Sequence, residues 1–169
     1  MMDYISHLVA SLCHRFGTRD PFQIAESLHI EILFHQLGDY LKGYFFYQSK
    51  VSIIIINSDL EEETQRMVCA HELGHALLHK DWAADHSIHD ISLFDMTAKP
   101  ECEANLFASE LLLPDSEVLS RLEEGEPFFQ VASELYVPPE LLDFKFRMLR
   151  NKGYQLDAPM VSHGDFLKK

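Results

Sequence analysis

The chain has 169 residues, is 47% hydrophobic and carries a net charge of −13 from 27 acidic and 14 basic residues. Such a length and apolar content suit one globular domain with its own core rather than a disordered chain, and the acidic balance disfavours contact with nucleic-acid phosphates or anionic lipid. Cys13, Cys69 and Cys102 follow no disulfide or metal spacing, the N-terminus lacks a signal-peptide pattern, and no stretch nears the roughly 20 apolar residues that span a bilayer, so the expectation is a cytoplasmic protein without membrane or direct nucleic-acid partners.

Along the chain, Ile5, Leu8, Val9, Leu12 and Phe16 recur at helical spacing between Tyr4 and Phe16. A second helix starts at "DPFQ", where Asp20 caps, Pro21 takes the first helical position and Gln23 completes a capping box. "IEILFHQL" and "GYFFYQSKVSIIIIN" are rich in β-branched and aromatic residues and predict strands, with "QSK" as a hairpin turn. The run Ile53 to Ile56 suggests a strand covered on both faces. Ser58 or Asp59 is expected to cap the next helix, which runs to about His79. A loop follows, and Pro100 opens the helix "ECEANLFASELLL", which ends before Pro114. Helices are expected near Asp115–Glu124, Phe128–Leu135 and Pro139–Arg150, with Gly153 as a stop and an irregular tail beyond.

The helix ending near His79 carries "HELGHALLH". Residues four apart lie on one helical face, so His71 and His75 can converge on one cation through neutral imidazole nitrogens. Glu72 points about 100° further round, outside the first shell but within reach of an activated water. This is the H-E-x-x-H pattern of zinc hydrolases, in which the carboxylate accepts a proton and returns it to the leaving amine. The alternative is a polar stripe on an amphipathic helix. The small and apolar Met67, Ala70, Leu73, Gly74, Leu77 and Leu78 argue against it, because they bury the helix and buried His and Glu need partners.

A catalytic zinc usually takes a third protein ligand. Asp81 occupies the metzincin position, but Leu78 stands where that pattern has glycine. His79 follows along the same helix, where three successive residues cannot all surround one ion; the helix dipole favours it as a C-terminal residue. His86 and His89 in the loop stay open as candidates. Glu101 and Asn105, four apart on the following helix, fit better: one side chain can bind metal while the amide fixes a ligand histidine. Glu103 points to nearly the opposite side, and both acidic residues also suit a helix N-terminus.

With "HELGHALLH" followed by "ECEANLFASELLLP", and "IIIIN" just upstream, the chain resembles the ImmA/IrrE family of zinc metallopeptidases, a gluzincin group, over roughly residues 20 to 150. The resemblance implies one Zn²⁺ per chain held by His71, His75 and Glu101, with Glu72 as general base and Asn105 supporting a ligand. It also implies that the strand before the active-site helix, Ser52, Ile53, Ile54, Ile55, Ile56 and Asn57, aligns substrate by backbone pairing. Family members in mobile elements cleave a cI-like helix-turn-helix repressor and so induce prophage or element genes. A non-catalytic anti-repressor with a structural zinc is the alternative. The expected fold class is α+β: a mainly helical single domain with a small antiparallel or mixed sheet beside a zincin-type helix. The domain is expected to span 1–150, with a helix-turn-helix-like end at about 127–150 and a tail at 151–169. Lys145, Arg147, Arg150 and Lys152 cluster at that end. They would touch DNA or a repressor if exposed, but the net charge favours two packed core helices.

Overall fold

Helix α1 (Met2–Phe16) buries Ile5, Val9 and Leu12 and ends at Gly17, whose φ of 68° suits glycine at a helix C-terminus. In α2 (Pro21–Ser27), Asp20 caps as expected by accepting the Phe22 N–H. Gln23 departs from a capping box, because its amide bonds the Asp20 carboxylate and not the main chain. These helices belong to a computed structural model that describes residues 1–80 and 99–156. The expected loop with Asp81, His86 and His89 lies mostly outside the described residues, as does most of the expected tail.

Three strands follow: β1 (Glu31–His35), β2 (Gly43–Gln48) and β3 (Val51–Asn57). The predicted hairpin joins β2 to β3 through Ser49 and Lys50, with φ of 52° and 69°. Positive φ at both turn residues is the geometry that matches strand twist in a two-residue hairpin. The sheet order is β1-β3-β2, with β1 parallel and β2 antiparallel to β3.

This order corrects the expectation that Ser52, Ile53, Ile54, Ile55, Ile56 and Asn57 align a substrate. Ile53 to Asn57 pair with β1 on one side, and Ser52 to Ile56 pair with β2 on the other, so the central strand has little free main chain for a third partner. Nor is β3 fully covered on both faces. Ile54 and Ile56 are buried, whereas Ile53 and Ile55 are half-buried. Asn57 organises the loop between β1 and β2: its Oδ1 accepts from the Leu37 and Asp59 N–H groups, and its Nδ2 donates to the Gly38 and Leu41 carbonyls.

Among the described residues β2 forms one edge of the sheet, and its Gly43 packs close to Val68 of the following helix. Because the Asn57 N–H donates to the Lys42 carbonyl, hydrogen-bonded pairs alternate along the hairpin from that pair. The main-chain groups of Gly43, Phe45 and Tyr47 therefore face away from β3.

Helix α3 (Glu62–Leu78) is capped at Glu61, three residues later than Ser58 and two later than Asp59, since Asn57 holds residues 58–60 in a turn. Helices α4 (Lys99–Leu112), α5 (Asp115–Glu123), α6 (Phe128–Glu134) and α7 (Pro139–Asn151) complete seven helices among the described residues. The fold is a mainly helical α+β domain, and no helix among the described residues is long and apolar enough to cross a membrane.

The basic cluster on α7 faces inward or pairs locally. Lys145, with 0% of its surface exposed, donates to Glu110 at 2.6 Å and pairs with Asp115. Lys152 binds the same two carboxylates, and Arg147 pairs with Asp143. Three of the four basic residues weighed as a DNA or repressor contact are thus tied to carboxylates of the same chain, which fits two packed core helices.

Two glycines set how closely α3 lies against its neighbours. A Cβ on Gly43 would stand 2.4 Å from Val68 Cγ1 and 2.8 Å from the Ile55 carbonyl oxygen. On Gly74 it would stand 3.1 Å from Ala104 Cα and 3.3 Å from Phe107 Cβ. Gly74→Val should therefore overpack the α3–α4 crossing and cost roughly 1–3 kcal/mol, read as a lower urea midpoint at unchanged slope. An unchanged midpoint would refute the close approach.

Candidate metal centre

The α3–α4 crossing places "HELGHALLH" against "ECEANLFASELL". His71, Glu72, Glu101 and Asn105 are buried there, and His75 is nearly so. His71 Nε2 lies 3.2 Å from Glu101 Oε2, and His75 Nε2 lies 3.2 Å from Glu101 Oε1. The two imidazole nitrogens are 3.1 Å apart. Among the described residues, His71, His75 and Glu101 form the one group able to offer three ligand atoms to a metal.

The donor chemistry fits a cation. His71 Nδ1 lies 2.9 Å from Asn105 Oδ1; an amide oxygen only accepts, so Nδ1 carries the proton and Nε2 presents a lone pair toward Glu101 and His75. Four ligands about 2.0–2.1 Å from a tetrahedral zinc would stand about 3.3 Å from one another, close to the separations seen here.

The polar groups titrate accordingly. Burial opposes charge on His71, but Glu101, Glu72 and Asn105 outweigh it and raise its pKa. Burial likewise opposes ionisation of Glu101, yet the His71 and His75 imidazoles hold its carboxyl far below the usual range. Glu72 is pushed up by burial, with His71 and His75 pulling part of the way back. The Phe45 main chain, on the outer edge of β2, also favours the ionised form of Glu72, as the smallest of these influences, so the edge strand lies near the candidate base.

The structure thus brings His71, His75, Glu101 and Asn105 together, with Glu72 beside them. The strand residues Ser52 to Asn57 stand apart as the sheet's centre, and Phe45 of β2 takes the neighbouring position. Two further contacts escaped the sequence reading. His79 Nδ1 lies 3.1 Å from His75 Nδ1, and His79 Nε2 lies 3.0 Å from Glu103 Oε2. Glu103 is buried rather than directed to solvent. The repeat of histidine at 71, 75 and 79 was the available signal, since it stacks three imidazoles along one face.

A buried H-E-x-x-H helix completed by a glutamate from the next helix defines a metallopeptidase fold and site. Residues 25–147 match the peptidase family described as the IrrE N-terminal-like domain, and the chain belongs to that family. It is 35% identical over 142 residues to the uncharacterized immunity region protein 2 of Bacillus phage phi105, covering 83% of this chain and 88% of that protein. It is 30% identical over 164 residues to metallopeptidase ImmA of Bacillus subtilis, covering 94% and 93%. It also matches the radiation response metalloprotease IrrE of Deinococcus radiodurans at 33% identity, over 50% of this chain and 26% of that protein. The chain is a metallopeptidase.

Removing one of three convergent donors tests the ligand set. Glu101→Ala should reduce the zinc content of the purified protein from one equivalent to near none by elemental analysis. Full retention would assign the third position to a donor such as His86 or His89.

Proposed function

We propose that the chain is a zinc-dependent endopeptidase that cleaves a cI-like helix-turn-helix repressor at one site and so induces prophage or mobile-element genes. The observation that carries the catalytic half is the convergence of His71, His75 and Glu101 within 3.1–3.2 Å, with buried Glu72 alongside. These three residues would hold one Zn²⁺, which when bound supplies Lewis acidity toward a carbonyl and acidifies water. Asn105 fixes the His71 tautomer.

Glu72 acts as the general base. Burial raises its proton affinity, which suits a group that must take a proton from water and then deliver it to the leaving amine. The Phe45 main chain lies near enough to favour the ionised form of Glu72. The outward groups of Gly43, Phe45 and Tyr47 offer an edge to which an extended peptide can add, bringing its scissile bond beside Glu72. This edge replaces β3 in the substrate-aligning role.

The repressor half rests on the relatives. One is named for a phage immunity region and another is metallopeptidase ImmA, and both support a protein target that maintains immunity. Such a repressor acts in the cytoplasm, which is where the peptidase would meet it. Residues 1–150 form the peptidase domain in this reading, with 151–169 as a tail.

Co-expression with a helix-turn-helix repressor encoded beside it should give one defined cleavage product. Glu72→Gln should lower the rate by at least about a hundredfold, the lower range for loss of a general base, while zinc content is kept. Unimpaired cleavage would remove Glu72 from the role. Full derepression in cells by Glu72→Gln without cleavage would favour a non-catalytic anti-repressor.

A further inference from the structure

The third histidine of "HELGHALLH" is held in a chain of contacts that the catalytic roles above leave unused. Glu103 Oε2 lies 3.0 Å from His79 Nε2, and His79 Nδ1 lies 3.1 Å from His75 Nδ1. His75 Nε2 in turn faces His71 Nε2 and Glu101. All of these side chains are buried or nearly so.

The direction of this chain follows from the inventory of donors and acceptors. An ionised carboxylate only accepts hydrogen bonds, so the proton between Glu103 and His79 sits on His79 Nε2. A neutral imidazole with its proton on Nε2 has an acceptor at Nδ1. The contact between the two Nδ1 atoms is then satisfied only if His75 Nδ1 is the donor. His75 therefore carries its proton on Nδ1 and turns an unprotonated Nε2 toward Glu101. The opposite tautomer of His75 would set two lone pairs face to face at 3.1 Å and point a proton at the place where a ligand lone pair is needed.

We propose that His79 and Glu103 are positioning residues, acting in series to fix the tautomer and ring orientation of His75 for metal binding. This rests on the zinc reading of His71, His75 and Glu101. It gives each ligand histidine its own support from α4: Asn105 directly for His71, and Glu103 through His79 for His75. The two arms differ in kind. Asn105 is a neutral acceptor in direct contact, whereas the His75 arm ends on a carboxylate one imidazole away, which makes the His75 nitrogen the more electron-rich donor.

The test is zinc affinity, measured by competition with a chromophoric chelator on the full chain, with cobalt(II) absorption as a signature of ligand geometry. His79→Ala and Glu103→Ala should each weaken zinc binding by about tenfold to a hundredfold, the range for groups that orient a metal-bound histidine. His79→Phe keeps the ring but has no nitrogen, and should lose as much as alanine. Glu103→Gln retains an acceptor and should recover most of the affinity. Because the residues act in series, His79→Ala with Glu103→Ala should bind zinc no more weakly than His79→Ala alone. The cobalt spectrum should shift in the His79 variants and return toward wild type in Glu103→Gln.

Wild-type affinity in His79→Phe would overturn the proposal while leaving the metal site intact. Losses that add in the double variant would equally overturn the series arrangement. A wild-type chain that binds no zinc would instead remove the metal reading itself, and the proposal with it.

Discussion

At Gly74 the main chain of α4 comes so near α3 that an added methyl group would stand 3.1 Å from Ala104 Cα. Every contact of the candidate site depends on that approach. Ordinary helix pairs keep axes roughly 8–10 Å apart, and small residues on both helices permit the short end of that range. At such a distance Glu101 reaches two imidazoles, Asn105 reaches the outer nitrogen of one, and Glu103 reaches His79. None of these side chains is long enough to span a much wider gap. Glycine also lowers intrinsic helix stability by about 1 kcal/mol relative to alanine, so its place within α3 is explained by the contact and not by helix formation.

The rest of the molecule holds the two helices in that relation. The sheet lies against α3, with Gly43 packed close to Val68 and the Phe45 main chain near Glu72. On the other side, α4 is fastened to α7 by Lys145 and Lys152, which share Glu110 and Asp115. Ser6 of α1 donates to Glu110, and Arg19 donates to the carbonyls of Glu110 and Leu111. One carboxylate thereby gathers the end of α4, the first helix and the last. A buried lysine would be costly alone, but here two acids meet it.

Much of this was legible locally. The Asp20–Pro21 helix start, the Ser49–Lys50 hairpin and the strand and helix order follow from patterns a few residues long. The pairing of Glu101 with Asn105 follows from their spacing. Strand order did not follow, because β1 joins β3 in parallel across more than twenty residues and no local pattern records such a pairing. The run Ile53 to Ile56 pointed to cover on both faces, which does not record that β3 has a strand on each side. Glu103 was missed for a related reason. A helical wheel places it correctly opposite Glu101, but only the tertiary crossing brings the end of α3 to that side. For the basic residues of α7 the net charge pointed to packed core helices, but the partners of Lys145 could not be named, since Glu110 and Asp115 lie thirty or more residues earlier.

The influence of the Phe45 main chain on Glu72 differs in kind from the side-chain contacts at the site. It is made by a peptide N–H, which every residue except proline possesses. Substituting the side chain at position 45 alters the core packing but leaves this anchor in place. A scan that replaces residues one at a time by alanine would thus pass over it entirely. Only a change to the backbone itself, such as an ester in place of that amide, would expose how firmly the sheet steers the carboxylate. That influence on the base is therefore insulated from drift in sequence at the position that provides it.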